Sequence, residues 1–269
     1  AFNSGAFDWL TFILVTIGIV SAHSAADFID DYFDFINGNL GNKEKQFHDS
    51  PLIDGKVTLK QVVTATVICL AVSVAIGVYL LVEIGYPVLV MTLIGAFIVL
   101  FYTSPPIRLN YRGLGETGLF VAFGPMIVFG VYFVLTRQFS WEPILASIPL
   151  GVFIMNVVIV SNIFDYEDDV QSGKLCMPVR IGQARTVKVL ATVSVLAYLA
   201  VIAGVAFGLL PLWALVALLA SPLAIQIVRG ASHFSDLSYY TPSMTKAIAL
   251  SSVTGVLMIA GYVVEILLK

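Results

Sequence analysis

The sequence predicts an all-α, polytopic transmembrane helical bundle, and three observations carry that prediction. Apolar residues make up 59% of the 269 and charged ones only 12%, with a mean hydropathy of +0.95, far outside the range of soluble domains. Eight apolar stretches reach or approach the roughly 20 residues that a bilayer span requires. The lysines and arginines gather on one side of those stretches. The polar segments between them are too short to be domains, so residues 1–269 read as one membrane domain.

The stretches fall at about 9–29, 62–82, 86–103, 117–136, 143–163, 187–208, 210–228 and 245–268. The first ends in an acidic cluster, Asp27-Phe-Ile-Asp30-Asp31-Tyr-Phe-Asp34, and the second is entered through Gly55-Lys-Val-Thr-Leu-Lys60. The third leads into a Pro-Pro-containing segment, 102–116, before the fourth. The fifth ends in a second acidic cluster, Asn162-Ile-Phe-Asp165-Tyr-Glu-Asp168-Asp169, and the sixth follows Gly182-Gln-Ala-Arg-Thr-Val-Lys188. Stretches one to four and five to eight thus echo one another, as two four-helix repeats of about 1–136 and 137–269. Both halves enter from the same side, so the repeat axis runs along the membrane normal. Such an arrangement sets the two acidic clusters across a central cavity.

With the connections numbered in order, the odd ones hold all of the 14 lysines and arginines except Arg137 and Lys269. That asymmetry assigns the odd side, and both acidic clusters with it, to the cytoplasm of a cell-membrane protein. The formal charge of −3 says little about partners, since the charge is segregated, and nothing points to nucleic acid. The chain opens on Ala1 with no basic leader or cleavage site, so no signal peptide is expected. Cys69 lies in a span and Cys176 in a cytoplasmic segment, which makes a disulfide improbable. His23, His48 and His233 show no zinc-ligand spacing.

Each acidic cluster contains an Asp-x-x-x-Asp pair, Asp30/Asp34 and Asp165/Asp169. Residues four apart share a helix face, so each pair presents two carboxylates in one direction. At 100° per residue, Asp27, Asp30 and Asp34 fall within about 60° of arc with Asp31 just beside them, and Asn162, Asp165 and Asp169 do the same. Glu167 and Asp168 point elsewhere and are expected to be solvated. Acids at a helix end often do no more than solvate the boundary, but two clusters of matching spacing at the same face favour a cation between them. Oxygen ligation of this kind suits magnesium or calcium, and magnesium held by few carboxylates completes its shell with water and phosphate. Basic residues follow each cluster: Lys43, Lys45 and Lys56, then Lys174, Arg180 and Arg185, with Arg108 and Arg112 in the third cytoplasmic segment. Singly these are ordinary inside charges; together they form a positive rim suited to a phosphorylated substrate.

Three ordered motifs then carry a resemblance. Asp30-Asp31-Tyr-Phe-Asp34-Phe-Ile-Asn-Gly38 resembles the first signature of the UbiA family of intramembrane prenyltransferases, and Asp165-Tyr-Glu-Asp-Asp169-Val-Gln-Ser-Gly-Lys174 the second. Tyr102-Thr-Ser-Pro-Pro-Ile-Arg-Leu-Asn-Tyr-Arg-Gly-Leu-Gly-Glu116, with Phe123-Gly-Pro125, is similar to the branch that prenylates dihydroxynaphthoate on the way to menaquinone. The resemblance implies a bundle of usually nine helices around a cavity open to lipid. It implies magnesium on Asp30, Asp31, Asp34, Asp165 and Asp169, binding an isoprenyl diphosphate that ionises to an allylic cation, which an apolar or aromatic acceptor then attacks. Lys43, Lys45, Arg108, Arg112, Lys174 and Asn162 become the candidate diphosphate contacts. Departing diphosphate builds charge that cations stabilise, while apolar walls keep water from the carbocation.

The chain departs from the family pattern in places. Asp30 stands where the motif often begins with Asn, Gly38 where many members have a further Asp (with Asn37 and Asn39 nearby), and Ser50-Pro51 where Arg-Pro is common. Since Asp8 begins what resembles the family's second helix, the first is expected to lie outside this chain. Two alternatives stand beside the prenylation of a hydroxylated aromatic: transfer to a glyceryl phosphate ether, and an ion-coupled transporter, whose acids usually sit nearer the midplane.

Overall fold

Every apolar stretch folds as helix in the computed structural model, which describes residues 5–38 and 51–268. Five helices come first: α1 (Trp9–Asn37), α2 (Leu59–Ile84), α3 (Tyr86–Phe101), α4 (Gly115–Thr136) and α5 (Trp141–Phe164). Two short ones follow, α6 (Tyr166–Gln171) and α7 (Met177–Ile181), then α8 (Gln183–Ala206), α9 (Leu212–Ala231) and α10 (Tyr240–Leu267). No strand occurs among the described residues. Among the described residues, seven helices are long and apolar enough to cross a bilayer. α3, with 16 residues, extends only about 24 Å, short of a bilayer core of roughly 30 Å.

The helix ends obey local chemistry. Asp8 caps α1 by accepting from the Thr11 backbone N–H at 2.7 Å, and Thr58 and Gln61 form a reciprocal capping box at the start of α2. α1 stops at Gly38, whose φ of 77° admits the left-handed turn that lets its N–H reach the carbonyls of Asp34 and Phe35. α4 is broken in the middle. Pro125 has no N–H to donate, Gly124 departs from helical angles, and 122–126 form a π turn.

Burial shows which helix is central. Half of the apolar window of α5 is buried, against 6% for α2. On one side α5 packs on α8, α9 and α10, where Phe153, Ile159 and Ile163 meet Leu190, Ile227 and Leu250. On its other side it meets α4, and beyond that lie α1, α2 and α3, with a smaller cluster around Val15, Leu80, Val88 and Val134. Outward-facing Val67, Val78, Ile248 and Ile259 are exposed in mid-helix, which is what a lipid-facing surface requires. The three tryptophans, Trp9, Trp141 and Trp213, begin α1, α5 and the first turns of α9, so with short antiparallel connections they share the end opposite the acidic clusters. They form an interfacial belt there.

A cavity of about 640 Å³ opens between α1–α4 and the near face of α5. Its described lining comes from α1 to α6 and includes nothing from α8, α9 or α10, so it lies to one side of the bundle. The α4–α5 crossing that bounds it depends on glycine. A Cβ on Gly151 would lie 2.8 Å from both the Gly124 Cα and the Phe120 carbonyl oxygen, which are backbone atoms with no freedom to rotate away. Small residues permit this approach where no hydrophobic effect drives helices together. Gly151→Val is therefore expected to part the two helices and cost about 1–3 kcal/mol, the usual penalty of overpacking. A lowered midpoint of thermal unfolding in detergent checks this; an unchanged midpoint would show that the crossing has slack.

Candidate active site

The acidic end of α1 and the break between α5 and α6 face the same cavity. Asp30 and Asp34 of α1, Asp165 at the break, Asp168 and Asp169 of α6, and Lys174 beyond it all line it, as does Asn162 from the last turn of α5. The sequence-derived residues Asp30, Asp34, Asp165, Asp169, Asn162 and Lys174 are thus brought together. Asp31, Arg108 and Arg112 are not among the lining residues. Arg112 is exposed and donates to the Pro106 carbonyl at 3.2 Å, and Arg108 stands over the Tyr111 ring at 5.4 Å. Lys43, Lys45, Asn39 and Ser50 lie outside the described residues.

One expectation changes with the backbone. Asp168 was placed on the solvated side by running a single helix through the second cluster, but α5 ends at Phe164 and Asp165 takes φ −87° and ψ 12°. The helix restarts at Tyr166, and Asp168 is half-buried at the cavity.

Each acid is held by neighbours that sequence spacing alone does not identify. The Thr103 hydroxyl donates to Asp30 Oδ1. Asp165 Oδ2 accepts from Ser161 Oγ and from the Tyr240 phenol, both at 2.8 Å, and the Tyr240 ring stacks on Phe164 at 4.9 Å. Asp169 is gripped on both oxygens: Oδ1 by the Lys174 ammonium at 3.2 Å and Oδ2 by the Cys176 thiol at 3.0 Å. Lys174 also donates to Asn162 Oδ1 at 3.2 Å, and Asn162 donates to the buried carboxylate of Glu116 at 3.2 Å. Glu116 accepts a further bond from the Met177 backbone N–H at 2.8 Å. A continuous relay therefore ties the start of α4 to α5, α6 and α7. Ser161, four residues before Asp165, was within reach of helical-spacing logic, and Glu116, an acid opening an apolar run, carried its own signal. Tyr240, on the last helix, carried none.

Segment 102–114 joins the two motifs. The Tyr111 carbonyl accepts from the Leu175 N–H at 3.3 Å, its phenol accepts from Asn37 Nδ2 at 3.5 Å, and Arg180 donates to the Gly113 carbonyl at 3.4 Å. Asn110 lines the cavity beneath, with its side-chain oxygen buried and unpartnered.

The electrostatics follow from burial. Burial pushes the Asp165 carboxyl above its ordinary pKa, and the bonds from Tyr240 and Ser161 restrain it only in part. Asp169 is raised for the same reason, with Lys174 and Cys176 pulling against it. Burial disfavours the Lys174 ammonium, but Asp169, Asp34 and Asp30 outweigh that and hold its pKa above the usual lysine value, so it stays charged. Burial and the carboxylates of Asp30, Glu116, Asp34 and Asp169 push the Tyr102 phenol well up, leaving it a neutral donor at the cavity.

Among the described residues, no three or more His, Cys, Asp or Glu side chains converge closely enough to hold a metal by themselves. The donors facing the cavity are carboxylate oxygens from two elements. That set fits a hard ion such as magnesium, which takes few protein ligands and fills its shell with water and phosphate oxygens.

Known proteins match this arrangement. Residues 1–238 match the UbiA prenyltransferase family. The chain belongs to that family. It is 32% identical over 176 residues to the 2-carboxy-1,4-naphthoquinone phytyltransferase of Synechocystis, covering 64% of this chain and 57% of the relative's length. It is 24% identical over 223 residues to the 1,4-dihydroxy-2-naphthoate octaprenyltransferase of Bacillus subtilis, covering 83% of this chain and 71% of that protein. A solved structure of digeranylgeranylglyceryl phosphate synthase superposes with a TM-score of 0.54 at 18% identity, over 96% of this chain and 86% of the other. That likeness concerns the fold alone.

A buried carboxylate whose folded pKa is raised weakens the fold above that pKa and ceases to do so below its unfolded value, where both states are protonated. In chelator at pH 7, Asp165→Asn is therefore expected to melt no lower than the parent protein, and the difference should shrink towards pH 4. Asn can still accept from Tyr240 and Ser161 through its carbonyl oxygen. Unfolding midpoints across pH check this, and a variant that melts far below the parent at every pH would show that the carboxylate stabilises the metal-free site.

Proposed function

We propose that the protein transfers an isoprenyl group from a prenyl diphosphate to a hydroxylated aromatic acceptor within the membrane, with magnesium held by Asp30, Asp34, Asp165 and Asp169. The observation that carries this reading is the convergence of two carboxylate pairs and a charged, buried lysine on one end of an apolar cavity. Magnesium, when bound, neutralises charge that grows on the diphosphate as the carbon–oxygen bond breaks. Lys174, aimed by Asn162 and Asp169, supplies a fixed positive charge to the same oxygens. Tyr102 offers a neutral hydroxyl. Asp31 and the rim residues Arg108 and Arg112 draw ion and diphosphate to the mouth at longer range, and Lys43 and Lys45 are further candidate contacts of the diphosphate. The apolar wall below excludes water from the allylic cation.

The aromatic acceptor is supported by the relatives, whose names specify naphthalene-based acceptors. The likeness to a glyceryl phosphate enzyme extends to the fold only. The acidic end is proposed to face the cytoplasm, in keeping with the basic residues Lys56, Lys60, Arg180, Arg185, Lys188 and Arg229 on that side and the tryptophan belt on the other.

The test is the reaction itself in detergent or nanodiscs. With magnesium, geranylgeranyl diphosphate and 1,4-dihydroxy-2-naphthoate, the protein should release diphosphate and form a prenylated ring, and chelator should stop both. Asp34→Ala and Asp169→Ala should each lower turnover by roughly a hundredfold or more. Lys174→Ala should raise the KM for the donor about tenfold or more, the loss of a charge-assisted contact, with little change in acceptor KM. Metal-independent turnover would reject the magnesium assignment, and product from a glyceryl phosphate ether alone would reject the aromatic acceptor.

A further inference from the structure

Below the acidic rim the described cavity lining is apolar apart from the hydroxyls of Ser73 and Thr92 and one ionisable pair on α1. His23 Nε2 lies 3.7 Å from Asp27 Oδ2, the two residues one turn apart, with side chains 50% and 64% exposed. The His23 ring meets Phe123 of α4 edge-on, with centroids 4.9 Å apart at 83°. All three residues line the cavity, and α1 presents only Ala22 and Ala26 beside the pair, which leaves room in front of it. No hydrogen bond occupies the other ring nitrogen, Nδ1, among the described residues.

An exposed pair of this spacing on a soluble helix would be worth little. Inside a span the same pair is costly unless it serves a ligand or a proton path. Its depth selects the ligand. At 1.5 Å per residue, Asp27 lies about 4.5 Å and His23 about 10 Å along α1 from Asp30, beneath any diphosphate at the rim. An alkyl tail against this wall would leave the imidazole Nδ1 without a hydrogen-bond partner. A planar ring with a hydroxyl would satisfy the imidazole and lie against Phe123.

Resting on the prenyl-transfer reading of this site, we infer that His23, oriented by Asp27, binds the acceptor's hydroxyl and acts as the base that takes its proton. The O–H bond breaks, the proton passes to His23 Nδ1, and the electron pair stays on the ring oxygen while Asp27 balances the imidazolium charge. The activated ring carbon forms its bond to C1 of the isoprenyl group, as the C1–O bond breaks with its pair on diphosphate. The group on the attacked carbon leaves without its bonding pair, either hydrogen as a proton taken up by the departed diphosphate or carboxylate as carbon dioxide, and the proton on His23 returns to the ring oxygen.

The test separates transfer from ionisation in one sample. His23→Gln and Asp27→Asn, both close in shape to the parent, are assayed with magnesium and geranylgeranyl diphosphate, with and without acceptor. Transfer to the acceptor should fall about a hundredfold or more for His23→Gln. Release of diphosphate by hydrolysis without acceptor, and affinity for a non-cleavable thiodiphosphate analogue, should stay at parental values and show that fold and metal site are intact. Parental transfer by His23→Gln overturns the inference, as does loss of hydrolysis in step with transfer, which would make the pair part of the diphosphate site. Running the parent with dihydroxynaphthoate and with a glyceryl phosphate ether distinguishes the two claims. Use of the ether alone rejects the aromatic reading while the loss in His23→Gln still tests the base, and transfer to neither overturns both.

Discussion

The buried Lys174 ammonium is the constraint on which the acidic end of this bundle depends. Six carboxylates, three on α1, one at the break after α5 and two on α6, face one cavity with apolar walls, where like charges repel far more strongly than in water. A single cation, with 15% of its side chain exposed, touches Asp169 and Asn162 and feels Asp34 and Asp30 beyond. It binds the second motif into a shape the first can face. The positions of Asn162, Glu116 and Met177 follow from holding that lysine in place, since each is the next partner in the relay. A buried charge pair of this sort gives little net stability once desolvation is counted. What it gives is geometry: a positive point fixed among the carboxylates of the cavity.

Much of this was legible in the sequence, and the reasons are physical. The spans were readable because a bilayer admits almost nothing but long apolar helices, so each predicted stretch found its helix. The pairs Asp30/Asp34 and Asp165/Asp169 were readable because helical spacing dictates a shared face. What failed to show was anything fixed by tertiary contact. Tyr240 reaches Asp165 from the far end of the chain, and no period or motif marks it. Asp168 lies half-buried at the cavity and not with Glu167 on the solvated side; even an unbroken helix sets it only about 60° from Asp165. Arg108 and Arg112 sit in the motif that resembles the family, but segment 102–114 sets Arg108 over the Tyr111 ring and leaves Arg112 exposed, while sending Thr103, Tyr111 and Asn110 to link the acidic elements and the cavity.

The two halves of the chain carry different loads. Helices α8, α9 and α10 close tightly on α5, with Ala197, Ala224 and Ala247 permitting near contact of their backbones. They form a rigid backing that holds Asp165 through Tyr240. The helices on the other side of the cavity are packed far less densely, with α2 and α3 showing most of their surface outward. In water such thin packing would be a liability; in lipid the exposed faces are already in their preferred solvent. The loosely packed wall turns apolar side chains outward, and the rigid wall holds the charged groups in place through Tyr240 and Ser161.

That division also explains why the polar groups are graded along α1. From Asp34 to Asp30 the helix offers carboxylates beside a cation and the hydroxyls of segment 102–114. At Asp27 and His23 it offers a weaker pair against an aromatic ring, and from Ile19 to Val15 its cavity-lining residues are apolar. A molecule with a charged head, a polar reacting centre and an apolar tail would meet each of these environments in that order along one helix face. Register along the face therefore decides which groups meet the cavity, because a shift by one residue would rotate His23 and the carboxylates about 100° out of it. The cap at Asp8 and the stop at Gly38 fix the two ends of that helix. The Asn37–Tyr111 and Thr103–Asp30 contacts hold its acidic end in phase with the second motif.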